Sequence, residues 1–156
     1  MVVAERYLEG RIAIITGGFS GIGKAIAIAL AERGAIIAIG ARRQPAAVFD
    51  ELRLVSDQCF FHKLDVASVA SIGEFVDTLA SEYGHADILV NSAGVTAHEF
   101  VCGHNEQSWL DVIDINLSGP FRMIRACLPT MKARNWGRII NIGSTAATTA
   151  SADHAA

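Results

Sequence analysis

The chain has 156 residues, 51% of them apolar and 19% charged, and a formal net charge of −3; this suits a single domain (1–156) with a sizeable core and excludes a disordered chain. No Lys/Arg cluster exists beyond Arg42-Arg43, which excludes a nucleic-acid surface, and runs such as Ala25–Ala31 are too short to cross a bilayer. Met1–Gly10 lacks the apolar stretch of a signal peptide. Three widely spaced cysteines (Cys59, Cys102, Cys127) argue against a disulfide framework or a metal site and for reduced thiols in a soluble cytoplasmic protein.

Arg11 to Thr16 is a continuous apolar run closed by Gly17-Gly18, the pattern of a strand buried on both faces. Ile22, Ala25, Ile26, Ala29 and Leu30 then share one face of a helix that ends at Gly34. Ala35–Gly40 reads as a second strand and Pro45–Val55 as a helix with Pro45 near its first turn. Cys59–Leu64 is a third strand. Ser68 caps a helix whose apolar face is Val69, Ile72, Val76, Leu79 and Tyr83, ending at Gly84. Ile88-Leu89-Val90 is a fourth strand. Asn105–Arg134 is mostly helical with a bend near Gly119-Pro120, and Trp109, Val112 and Ile113 lie on its apolar face, beside a buried Asn116. Arg138–Gly143 is a fifth strand. A small-residue run, Thr145–Ala152, follows.

Alternating strands and helices mean parallel βαβ units with right-handed crossovers. The fold class is therefore α/β, a doubly wound parallel sheet of Rossmann type in three α/β/α layers. The turn Thr16-Gly17-Gly18-Phe19-Ser20-Gly21-Ile22-Gly23 runs from the first strand directly into the first helix. A pyrophosphate needs backbone N–H donors and the positive end of a helix dipole close by. Side chains at Gly17, Gly21 or Gly23 would block that approach or crowd helix against strand. Strand, turn and helix stand in the order that a dinucleotide site requires.

The spacing TGxxxGxG resembles the cofactor motif of the short-chain dehydrogenases/reductases, and four later segments agree with that family in order and spacing. The resemblance implies cofactor contacts from Gly17, Phe19, Ser20, Gly21, Ile22 and Gly23. Asp65-Val66 resembles the family's adenine-contacting pair, although Asp65 also stands where it would cap the helix near Ser68, and both roles can coexist. Asn91-Ser92-Ala93-Gly94 is similar to the NNAG element, with Ser92 in place of the second Asn, so Asn91, Ala93 and Gly94 are expected at the cofactor cleft. Asn116 matches the family's helix Asn and Ser144 its active-site Ser. His98, Cys102 and His104 read as loop or pocket-lining residues.

That resemblance implies NAD(P)-dependent interconversion of a small-molecule alcohol and ketone in a homodimer or homotetramer, with Ser144 holding the substrate oxygen and Asn116 a water that joins the catalytic lysine to solvent. NAD-specific relatives place an Asp at the end of the second strand. Here Ala41 is followed by Arg42 and Arg43, whose guanidinium groups suit a 2′-phosphate, so NADP is expected, with NAD the alternative. The family's proton-transferring YxxxK pair would begin immediately beyond Ala156; the only tyrosines are Tyr7 and Tyr83. Either the sequence is the front part of an oxidoreductase, or it is a non-catalytic nucleotide-binding or interaction module. On the first reading the family's later strands and helices are missing, and Ile139 and Ile142 are expected to be exposed.

Overall fold

The computed structural model describes residues 6–149. The first apolar run folds as β1 (Ile12–Thr16), buried along its whole length, and its side chains alternate between two hydrophobic clusters. Ile12 and Ile14 face one cluster; Ala13 and Ile15 face the other. A strand covered on both faces lies in the middle of a parallel sheet. β1 pairs with β2 (Ile36–Ala41) and β4 (Ile88–Asn91), β2 with β3 (Cys59–Lys63), and β4 with β5 (Arg138–Asn141), all in parallel. The order is β3-β2-β1-β4-β5.

α1 (Gly21–Glu32) and α2 (Ala46–Val55) contribute Ala27, Ala31 and Leu52 to one cluster. α3 (Val69–Glu82) and α5 (Gly119–Ala133) contribute Ile72, Phe75, Leu79, Met123 and Cys127 to the other. Helices on both faces give the expected three layers. Because the chain leaves β1 toward β2 on one side and later returns to β4 on the other, a crevice opens where β1 and β4 end, the place where such sheets bind ligands.

Three details depart from the apolar pattern. The buried face of α1 is Gly23, Ala27 and Ala31, whereas Ile22 is 60% exposed. The helix lies so close to the sheet that only small residues fit beneath it, and the larger Ile26 and Leu30 pack at the sides. On α3, Phe75 takes the central place and Val69 stands in solvent, although Ser68 caps as expected by accepting the Ser71 N–H. The expected bend near Gly119-Pro120 is a π-helical turn, Asp114–Ser118, between α4 (Glu106–Ile113) and α5. Pro120 has no N–H to give the carbonyl four residues back, that of Asn116, so the widened turn replaces a regular α-helical one.

β5 is an edge strand among the described residues. Ile139 and Ile142 pack against the two clusters, contrary to the expectation that they are exposed; Ile140 is the exposed one. The small-residue run from Thr145 extends beyond the described residues, and the first half of Met1–Gly10 lies outside them. No helix among the described residues is long and apolar enough to cross a membrane.

Burial pushes the Cys59 thiol up to about 11 and the Cys127 thiol up to about 12, while Cys102 lies exposed. Since the thiolate is the reactive form, a thiol reagent at pH 8 is expected to modify Cys102 alone, the other two reacting only on unfolding. Mass spectrometry of the modified folded chain checks this; rapid labelling of Cys59 or Cys127 would contradict the packing.

Candidate functional site

The mouth of the crevice is built around a backbone contact. The turn after β1 passes so close to the turn after β4 that a Cβ on Gly17 would stand 3.0 Å from the Ala93 Cα, and one on Gly23 2.7 Å from the Gly17 carbonyl oxygen and 2.9 Å from Ser92 Oγ. Gly17 also has φ +68° and Gly21 φ +49°, in the left-handed region that favours glycine. Of the three glycines singled out in the sequence, Gly17 and Gly23 are therefore required by the protein's own packing. Only Gly21 faces open space.

Thr16 ties the two turns together. Its Oγ1 accepts the N–H groups of Ser92 and Ala93, both at 3.0 Å, and its own proton points toward the Val90 carbonyl 3.5 Å away. Thr16 is 1% exposed. Sequence reasoning took it for the end of a strand; its place at the head of TGxxxGxG was the available signal. Ser20 stands at the N-cap of α1 without capping it through its side chain, so the first N–H groups of a twelve-residue helix lack that acceptor. Open space at Gly21 beside those donors fits a pyrophosphate.

Two cavities adjoin along Ser92–Val95. The first, about 190 Å³, is lined by Gly17, Ser20, Ala41, Arg42, Asp65, Val66, Ala93 and Gly94 among others. Asp65 Oδ1 accepts the Ala67 N–H at 3.0 Å, which braces the turn before α3 but does not cap the helix, whose N-cap is Ser68; the Asp65 N–H donates to Ser71 Oγ. Arg42 and Arg43 are exposed and form no ion pair or hydrogen bond among the described residues. Arg42 lines the cavity, whereas Arg43 does not.

The second cavity, about 580 Å³, brings together Asn91, Ala93, Gly94, Asn116 and Ser144. Asn91 donates from Nδ2 to Asn141 Oδ1 at 2.8 Å, joining the ends of β4 and β5; its own Oδ1 is buried without a partner. Asn116, expected to be buried, is exposed and makes a two-way clasp. Its Oδ1 accepts the Val95 N–H at 2.9 Å, and its Nδ2 donates to the Val95 carbonyl at 2.8 Å. Ser144 Oγ accepts the Ala146 N–H at 3.1 Å.

Other expected residues stand apart. Phe19 turns its ring into the core, 7% exposed, so any contact it makes in the crevice is through its backbone; Ile22 projects into solvent. Cys102 is exposed, and His104 packs edge-on against Trp109 with Nδ1 3.5 Å from Glu99. His98 lines a third cavity beside Arg42. No group of three His, Cys, Asp or Glu side chains is placed to hold a metal among the described residues.

Comparison with known proteins matches residues 11–156 to the family described as short chain dehydrogenase. A 3-oxoacyl-[acyl-carrier-protein] reductase of Vibrio cholerae is 38% identical over 148 residues, which cover 95% of this chain and 60% of that protein. A D-beta-hydroxybutyrate dehydrogenase of Rhizobium meliloti is 39% identical over 142 residues, covering 86% of this chain and 54% of its own. The crystal structure of an actinorhodin polyketide ketoreductase variant with NADPH superposes with a TM-score of 0.88 at 34% identity, over 93% of this chain and 57% of that one. The chain thus spans a little more than half the length of the curated relatives it matches.

Thr16→Val removes the acceptor of two backbone N–H groups while keeping side-chain volume. With about 1–3 kcal/mol lost for each orphaned donor and two donors that are only part-buried, a destabilisation at the low end of that sum, about 2–3 kcal/mol, is expected by denaturant unfolding, and Thr16→Ser is expected to recover most of it. A neutral Thr16→Val would mean that the hydroxyl does not hold the turns.

Proposed function

The chain belongs to the short-chain dehydrogenase family, and from that premise we propose that its crevice binds NADP(H), with NAD(H) the weaker ligand, for oxidoreduction between a small-molecule alcohol and its ketone. The observation that carries the cofactor choice is Arg42, a guanidinium without a carboxylate partner on the wall of the first cavity, where a carboxylate would repel a 2′-phosphate. The NADPH in the related ketoreductase structure supports the same choice. Arg43 adds charge from outside the cavity. The first turn of α1, from Ser20 through Gly21 and Ile22 to Gly23, offers its N–H groups to the pyrophosphate. Asp65 keeps a second carboxylate oxygen for the adenine amino group, with Val66 and Gly94 against the ring.

When bound, the cofactor supplies hydride to the carbonyl carbon or accepts it from the alcohol carbon. Ser144 holds the substrate oxygen. Its Oγ already accepts the Ala146 N–H, so its proton is free to donate as negative charge grows on that oxygen. Asn116 fixes the Val95 backbone where the two cavities meet, and the water that the family resemblance gives it is proposed to lie beside it in the second cavity. Asn91 and Asn141 join the strand ends that carry Ala93 and Ser144.

The alkoxide formed by hydride addition must also gain a proton. Tyr7 is exposed near the start of β1, and Tyr83 stacks on Phe60 near the start of β3, both at the end of the sheet away from the crevice. We assign the proton to the YxxxK pair that the family resemblance implies, outside the described residues. The names of the two curated relatives, a 3-oxoacyl reductase and a hydroxybutyrate dehydrogenase, support a carbonyl/alcohol substrate pair. Trp109, Leu110, Leu117, Phe121 and Leu128 are exposed on α4, α5 and the turn between them, and this face is proposed to meet a second copy in a homodimer or homotetramer. A reducing cytoplasm suits the three free thiols.

Arg42→Ala is expected to weaken NADPH binding by roughly ten- to a hundredfold, the equivalent of one charge-assisted hydrogen bond, and to leave NADH binding nearly unchanged; fluorescence titration checks both. Equal affinity of the unmutated chain for NADPH and NADH would overturn the cofactor assignment. Residues 1–156 alone are expected to show no NADPH oxidation across a panel of ketones and sugars, because positioned acid catalysis is typically worth about 10²–10⁴-fold. Turnover by that polypeptide comparable with that of one carrying a YxxxK pair would mean that the proton comes from elsewhere.

A further inference from the structure

The ring of Phe19 does nothing in the crevice itself. It points away from it, meets Phe49 of α2 edge-on with centroids 6.1 Å apart and planes at 82°, and meets Phe61 of β3 at 5.4 Å and 43°. α2 needs such a contact. Of its ten residues only Leu52 is fully buried, with Val48 and Phe49 packed partly against the same cluster. The Lys24–Glu51 ion pair also links α1 to α2, but it lies at the surface and is worth little.

What Phe49 holds reaches back to the cofactor-reading arginine. The Phe49 N–H donates to the Pro45 carbonyl at 3.1 Å, the first hydrogen-bonded turn of α2. Only Arg43 and Gln44 separate Pro45 from Arg42, and on its other side Arg42 follows Ala41, the last residue of β2, which is paired with Lys63 of β3. The link Arg42–Pro45 is thus tied at one end by the sheet and at the other by the seating of Phe49. An arginine side chain has many rotamers, and its grip on a phosphate depends on where its backbone is held.

We infer that Phe49 is a positioning residue for cofactor choice: by seating the first turn of α2 on Phe19, it fixes the Arg42–Pro45 link and so sets Arg42 at the cavity wall. The inference rests on the assignment of Arg42 to the 2′-phosphate. It implies a selective effect. Truncating Phe49 leaves Phe19 held by Phe61, so the glycine turn keeps its place and the contacts common to both cofactors persist. Only the contact special to NADPH is loosened.

The test is fluorescence titration of the full chain with NADPH and with NADH, for the unmutated protein, Phe49→Ala and Phe49→Leu, alongside thermal unfolding. Phe49→Ala is expected to raise the NADPH Kd by about fivefold and the NADH Kd by less than about twofold, as loss of one ring contact acting through Arg42 would do. Phe49→Leu, which keeps an apolar contact, is expected to restore most of the preference. Should Phe49→Ala fail to fold, Phe49→Leu carries the same comparison, with a smaller loss for NADPH and none for NADH. Equal weakening of both cofactors would reduce Phe49 to general stability and overturn the inference. A preference for NADPH that both variants leave intact would overturn it while sparing Arg42. An unmutated chain with no preference would overturn the Arg42 assignment and the inference with it.

Discussion

The crevice depends on how closely two backbone turns approach each other. Gly17 and Gly23 have no room for a side chain because Ala93, Ser92 and the Gly17 carbonyl already occupy it, and Thr16 holds the approach by accepting two N–H groups on one hydroxyl. With the turns at that distance, α1 lies on the sheet through Gly23, Ala27 and Ala31, and its first N–H groups face the space outside the strand ends. A bulkier residue at position 23 would separate helix from sheet and spoil the donor array and the core together. The proposed binding and the packing are one constraint here.

The opposite end of the sheet is held by different physics. Asp87, 1% exposed just before β4, accepts the Ile12 N–H at 3.0 Å and pairs with Arg134 at 2.9 Å and Arg11 at 3.2 Å. Arg11 also lies over the Trp136 ring, 3.9 Å from its centroid. A buried carboxylate is tolerable only with such partners, and the loss of one is far costlier than the pair is stabilising. Charge thus fastens β1 to β4 where the strands begin, and a hydroxyl joins them where they end. Nothing in the spacing of Asp87 from Arg11 and Arg134 announced this cluster, because it forms only once the strands pair.

Much of the architecture was legible because burial on both faces leaves a plain mark: Ile12–Thr16, Ile36–Gly40 and Ile88–Val90 are unbroken apolar runs, and turn residues stand between them. The glycine turn was legible because its spacing is rare and its strand–turn–helix context is strict. The faces of α1 and α3 were less so. On α1 apolar periodicity weighs residues by size, and it preferred Ile22 where close packing selects Gly23 and Ala27; on α3 it took Val69, at the exposed first position of the helix, and passed over Phe75, which is buried at its centre. The direction of Phe19 was hidden as well, a large residue inside the glycine turn that serves the core. Asn116 looked like a buried helix residue because a regular helix was assumed; the π-helical turn brings it out to clasp Val95.

The central claim is that a dinucleotide lies across the ends of β1 and β4, with its pyrophosphate on the first turn of α1 and its 2′-phosphate on Arg42. Amide chemical-shift mapping of the nitrogen-15-labelled chain during NADPH titration tests it directly. The predicted perturbations cluster at Gly21, Ile22, Gly23, Ala93 and Gly94 and include Arg42, whose shift disappears when NADH replaces NADPH. Perturbations confined to the other end of the sheet, around Asp87 and Arg138, or a titration that leaves the glycine turn unmoved, would contradict it.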